Sequence, residues 1–82
     1  MTTADALREF ISRALPGGRP VGELTDDLPL IEERVIDSLG IFQLVSFIES
    51  DLGVEIGDDE VVRENFETIG ALAAFIDARR AG

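Results

Sequence analysis

A chain of 82 residues with 45% hydrophobic residues has enough apolar character to fold, so a disordered acidic tail is excluded and one small domain over residues 1–82 is expected. Seventeen acidic residues face seven arginines, and the net charge of −10 argues against nucleic acid, whose phosphates need cations, while suiting basic protein surfaces or simple solubility. Cys, His, Lys, Tyr and Trp are absent, which rules out disulfides, Ser–His and Cys–His pairs and Schiff-base lysines, and makes a self-sufficient enzyme a poor reading.

Thr2 and Thr3 offer N-caps for a first helix, and Leu7, Phe10, Ile11, Ala14 and Leu15 recur along one helical stripe. Pro16-Gly17-Gly18 stops it, and Pro20 and Gly22 extend the break. From Arg19 to Asp37 no period is sustained. Val21, Leu24, Leu28, Leu30, Ile31, Val35 and Ile36 are expected to anchor a long loop across the helices, with a short turn near Pro29–Glu33. Loops of that length are uncommon in compact domains and often functional.

A second helix is predicted from Ser38 to about Asp51, with Ile41, Leu44, Val45, Ile48 and Leu52 as its core stripe and Gly53 as its stop. Asp58-Asp59-Glu60-Val61-Val62 reads as a short helical turn with its acids at the positive end. The last helix opens with Thr68 as cap, turns Ile69, Leu72, Ala73 and Ile76 inward, and places Arg79 and Arg80 in its final turn. The expected fold class is all-α: a small four-helix bundle of three main helices and a short third one, with a long first loop. No apolar run approaches the ~20 residues that cross a bilayer, and the first residues lack the basic and apolar regions of a leader, so a cytoplasmic protein without membrane contact is expected. With no heptad pattern, a monomer is expected.

No metal site is anticipated. A calcium loop begun at Asp51 would put Gly53 at position 3, Ile56 at position 6 and Val62 at position 12, where the ligand pattern needs an acid, a glycine and a glutamate. The glycines form neither GxGxxG nor a lysine-bearing phosphate loop.

The stretch VIDSLGIFQL, from Val35 to Leu44, places Ser38 where the second helix begins. Serine there has a plain reading as an N-cap. Leu39 and Phe42, continuing through Ser46 to Glu49, lie on a face away from the core stripe and look like a docking patch, with Phe42 read equally well as a widening of the core and Phe47 as core. A hydroxyl at a helix N-terminus also suits a phosphodiester, because free N–H groups favour negative charge. Lacking a base nearby, it attacks nothing unaided, but a partner bringing its own base and metal could modify it.

These residues carry a resemblance. DSLGIFQLVSFIESDLGVEI and ENFETIGALAAFI are similar to acyl carrier proteins of the phosphopantetheine-attachment family over nearly the whole chain. Asp-Ser-Leu alone is a weak signal; followed by Leu44, Ile48-Glu49 and Leu52-Gly53-Val54-Glu55-Ile56 at the family's spacing, it is strong. The resemblance implies that Ser38 takes 4′-phosphopantetheine from coenzyme A through a phosphopantetheinyl transferase, with Asp37 as its motif neighbour. It implies a non-catalytic carrier of an acyl or aminoacyl thioester, met by adenylating or acyl-transferring and downstream enzymes. Leu39, Phe42, Ser46 and Glu49 fall on the family's partner face, and Asp58, Asp59 and Glu60 would steer basic partners. Gly40 and Gln43 stand where fatty-acid carriers usually have acids, which favours stand-alone carriers of secondary metabolism. A fatty-acid-type or D-alanyl carrier is the alternative within the family, and an unmodified helical interaction module the alternative outside it.

Overall fold

The computed structural model describes residues 2–15 and 19–81. Helix α1 spans Thr3–Ala14, α2 Ser38–Asp51, α3 Arg63–Phe66 and α4 Ile69–Ala81, and no strand occurs among the described residues.

The Thr2 hydroxyl accepts the Asp5 N–H at 3.1 Å, while the Asp5 carboxylate accepts the Thr2 N–H at 3.4 Å, a reciprocal capping box that starts α1. Leu7 and Ile11 enter the core, and Leu15 follows in extended backbone just past the helix end. The expected stop at Pro16-Gly17-Gly18 lies outside the described residues. Ala14, expected inward, is exposed; it borders an open groove between α1 and α2 shared with Arg13, Gln43 and Ser46.

The connection to α2 is packed across the helices, as its apolar residues suggest. Leu24, Leu30, Val35 and Ile36 are buried. Val21 departs from the expectation: it opens a 3₁₀ turn, Val21–Glu23, and is exposed, because only Leu24 at the end of that turn points inward. Hydrogen bonds to its backbone groups pin the loop at three places. Arg8 Nε donates to the Leu24 carbonyl at 2.6 Å, the Gly70 N–H to Asp26 at 2.9 Å and the Leu30 N–H to Glu67 at 2.9 Å. A side chain at residue 70 would start 3.1 Å from the Asp26 carbonyl oxygen, so this close approach favours glycine.

The turn near Pro29–Glu33 is present, with the Glu33 N–H donating to Pro29 O at 2.9 Å. It closes with Arg34 in the left-handed region at φ 59°. The Arg34 N–H donates to Ile31 O at 3.1 Å and the Val35 N–H to Leu30 O at 2.9 Å, the two bonds of a Schellman stop. Leu30 and Val35 bury the apolar contact that accompanies it.

Leu44 and Ile48 of α2 are fully buried, with Ile41, Val45 and Leu52 packed at the margin. Gly53 ends the helix at φ 70°, a conformation that suits a residue without Cβ. The expected turn at 58–62 resolves into a 3₁₀ turn, Asp58–Glu60, then Val61 and Val62, then α3. Phe66 on α3 is the largest fully buried side chain and meets a core of Leu7, Ile11, Ile69, Leu72 and Ile76 built where α1 and α3 pack on α4. Thr68 caps α4 by accepting the Ala71 N–H at 3.0 Å, and Ile69, Leu72, Ala73 and Ile76 all turn inward. Among the described residues no helix is long and apolar enough to cross a membrane.

Candidate functional site

The first turn of α2 is organised by Asp37. Its backbone is extended and its carboxylate accepts the Gly40 N–H at 2.8 Å, so Asp37 is the N-cap and Ser38 is already the first helical residue. The reading of Ser38 as a cap is thereby corrected. Its neighbour satisfies the orphan N–H, and the Ser38 hydroxyl has no hydrogen-bond partner among the described residues while its side chain is exposed.

Beside it lies a depression of about 470 Å³ lined by Ile31, Arg34, Ile36, Asp37, Ser38 and Ile41. One oxygen of the Asp37 carboxylate is engaged by the cap, and no other carboxylate lines this depression among the described residues.

On the outer face of α2, Leu39 is 60% and Phe42 71% exposed, which decides between the two readings of Phe42: it is surface. Phe47, by contrast, is half-buried and stacks on Phe10 with ring centroids 4.3 Å apart. Ser46 is exposed on the same helix.

The acids fall into two groups. Asp58 and Asp59 are exposed on their 3₁₀ turn. Glu49 and Glu60 have internal partners: Glu49 Oε2 accepts the Ile56 N–H at 3.1 Å, and Glu60 Oε1 accepts the Gly57 N–H at 2.8 Å while its other oxygen pairs with Arg79. Both carboxylates tie the segment after α2 to its surroundings. Sequence reasoning missed the exposure of Val61 and Val62, two adjacent apolar residues outside any helix, and it gave Arg34 no role.

The arrangement offers a free, exposed hydroxyl at the head of a rigid helix, open ground beside it and apolar side chains on the adjoining face. A covalently attached phosphodiester fits there without displacing any hydrogen bond of the fold.

Comparison with known proteins gives a consistent picture. Residues 5–76 match the family model described as "Phosphopantetheine attachment site". The chain is 34% identical over 58 residues to "Probable acyl carrier protein PigG" of a Serratia species, spanning 71% of this chain and 67% of the relative. It is 32% identical over 72 residues to the "Acyl carrier protein" of Clostridium perfringens, covering 88% of this chain and 90% of that one. Among solved structures, a chain from "Crystal structure of FAD-dependent dehydrogenase" superposes with a TM-score of 0.74 at 34% identity, over 85% of this chain and 97% of the other.

Proposed function

The chain belongs to the phosphopantetheine-attachment family of acyl carrier proteins, and on that footing we propose that Ser38 is its attachment residue and that it serves as a stand-alone carrier in a secondary-metabolite pathway. Acyl carriers of this family hold 4′-phosphopantetheine covalently, and its terminal thiol supplies the sulfur for a thioester that this chain, with no cysteine, cannot supply itself.

The observation that carries the assignment of Ser38 is the division of labour with Asp37. Because the aspartate caps α2, the serine hydroxyl is released from structural duty and stands exposed. In the transfer, Ser38 Oγ forms a phosphoester to the pantetheine phosphate of coenzyme A as the pyrophosphate bond breaks and the adenosine bisphosphate leaves. The hydroxyl proton passes to a base of the transferase, since none is available here. Leu39 and Phe42, with Ser46 further along α2, are the surface that the transferase and the loading enzymes meet, and Asp58 and Asp59 draw basic surfaces toward it.

Gly40 and Gln43 support a cargo outside fatty-acid synthesis, with an aminoacyl group loaded by an adenylating enzyme as the favoured case. Gly40 is buried, and a Cβ there would lie 3.4–3.5 Å from Ile36, Asp37 and Leu15, so a carboxylate at this position would be placed beside the Asp37 carboxylate and apolar neighbours. The carrier-sized chain solved as part of an FAD-dependent dehydrogenase structure supports an oxidising flavoenzyme among the enzymes that act on the tethered cargo.

The test is to offer the modified protein to amino-acid-adenylating enzymes and, separately, to malonyl- and fatty-acyl-transferring enzymes, following the intact mass. Aminoacyl loading is the expected result. Loading only with malonyl or fatty acyl groups would move the protein to the fatty-acid or polyketide type.

A further inference from the structure

Arg34 stands out for where its backbone is and for the wall its side chain joins. Among the described residues it is the one non-glycine residue with positive φ, at 59°, and it fills the position of a Schellman stop that glycine usually takes because a Cβ there crowds the backbone. A strained position held by a long cationic side chain points to a use for that side chain. Four other arginines, Arg8, Arg19, Arg63 and Arg79, have carboxylate partners, while Arg13 and Arg80, like Arg34, have none among the described residues but do not line the depression beside Ser38. Arg34 has none among the described residues, in a protein with 17 acids to choose from. It lines the depression that also contains Ser38, with Ile31, Ile36 and Ile41 as apolar walls and Asp37 as the acid.

We propose that Arg34, Ile31 and Ile41 form a docking site for the arm carried on Ser38, the guanidinium pairing with the phosphodiester and the isoleucines covering the pantetheine chain between transfers. The proposal rests on Ser38 as the attachment residue. The occupant follows from the tether, because the attachment hydroxyl is itself part of the wall. Charge gives the arginine its part. A phosphodiester added next to Asp37, on a protein of net charge −10, is repelled from its own surface, and Arg34 is the cation in that wall that offsets this repulsion. A sheltered arm presents its thiol to solvent less, and a partner's basic surface competing for the phosphodiester would release it.

Amide spectra of the unmodified and modified forms test this in the wild type, Arg34→Gly and Arg34→Lys, each conversion first confirmed by intact mass. In the wild type, modification is expected to shift the amides of Ile31, Arg34 and Ile41 as well as those of Asp37 to Leu39. In Arg34→Gly the shifts at Ile31 and Ile41 disappear and the phosphorus resonance moves. In Arg34→Lys they persist in part, and raised salt weakens them in the wild type. Unmodified Arg34→Gly melts higher than the wild type, since glycine relieves the left-handed backbone, so the lost shifts are not a folding defect. Shifts confined to Asp37–Leu39 in every protein, or unchanged in Arg34→Gly, would overturn the docking site. A Ser38 that takes no modification overturns the attachment itself, a separate result read from the mass before any spectrum.

Discussion

The Asp37 carboxylate accepts the Gly40 N–H at 2.8 Å, and this one bond leaves the adjacent Ser38 hydroxyl without structural work. Two neighbouring residues that could each cap the helix have been given different tasks. Asp37→Ala should therefore cost about 0.5–2 kcal/mol in denaturant melts, the usual worth of an N-cap. Ser38→Ala should fall within about 0.5 kcal/mol of the wild type, as for an exposed residue with no partner. A larger loss in the serine variant than in the aspartate variant would reverse the assignment.

Exposure separates the phenylalanines. Phe42 is 71% exposed, so Phe42→Ala should change stability by no more than about 0.5 kcal/mol while lowering kcat/KM for modification by a phosphopantetheinyl transferase. Phe66 is fully buried in the shortest helix, and Phe66→Ala should cost about 3–5 kcal/mol. Against the ~3–5 kcal/mol that a core of this size supplies, that variant should be largely unfolded by circular dichroism. A Phe42→Ala variant that unfolds, or one modified at the wild-type rate, would count against α2 as the meeting surface.

These contrasts show what the sequence could and could not reveal. Helices α2 and α4 were legible because Leu44, Ile48, Leu72 and Ile76 keep a helical period and Gly53 and Thr68 punctuate it. The cap of α2 was not, since Asp and Ser are equally good caps and a shift of one residue leaves the apolar stripe unchanged. Phe66 escaped notice because four residues are too few to display a period. The Schellman stop was hidden because arginine gives no turn signal where glycine would. Glu49 read as surface, and its bond to the Ile56 N–H depends on a chain reversal that spacing alone does not reveal.

With a net charge of −10 and only seven arginines, mutual repulsion should limit stability. Added salt or millimolar divalent cation should raise Tm in thermal melts, through screening or direct neutralisation. A flat or falling response would mean that the ion pairs, such as Arg79 with Glu60, already balance the repulsion.

Asp5 gives a pH dependence with a definite sign. Its carboxyl is held below its ordinary value of 3.8, chiefly by the Thr2 backbone hydrogen bond, then by the Thr2 hydroxyl, with Arg8 adding attraction against some desolvation. A group whose folded value is depressed contributes stability above the unfolded value and loses it as pH falls through the folded one. The start of α1 should therefore stay protected down to pH 3.8 and loosen below it, in step with the Asp5 carboxyl signal in an NMR titration. An Asp5 midpoint at or above 3.8 would contradict the capping box.

The central claim is that Ser38 is the residue this fold presents for modification. Its most direct test is the intact mass after incubation with coenzyme A and a broad-specificity phosphopantetheinyl transferase, for the wild type and Ser38→Ala. The wild type should gain one phosphopantetheine and the variant none. No gain in either protein, with both folded and a control carrier modified, would contradict the claim and leave a helical interaction module that docks through Leu39 and Phe42.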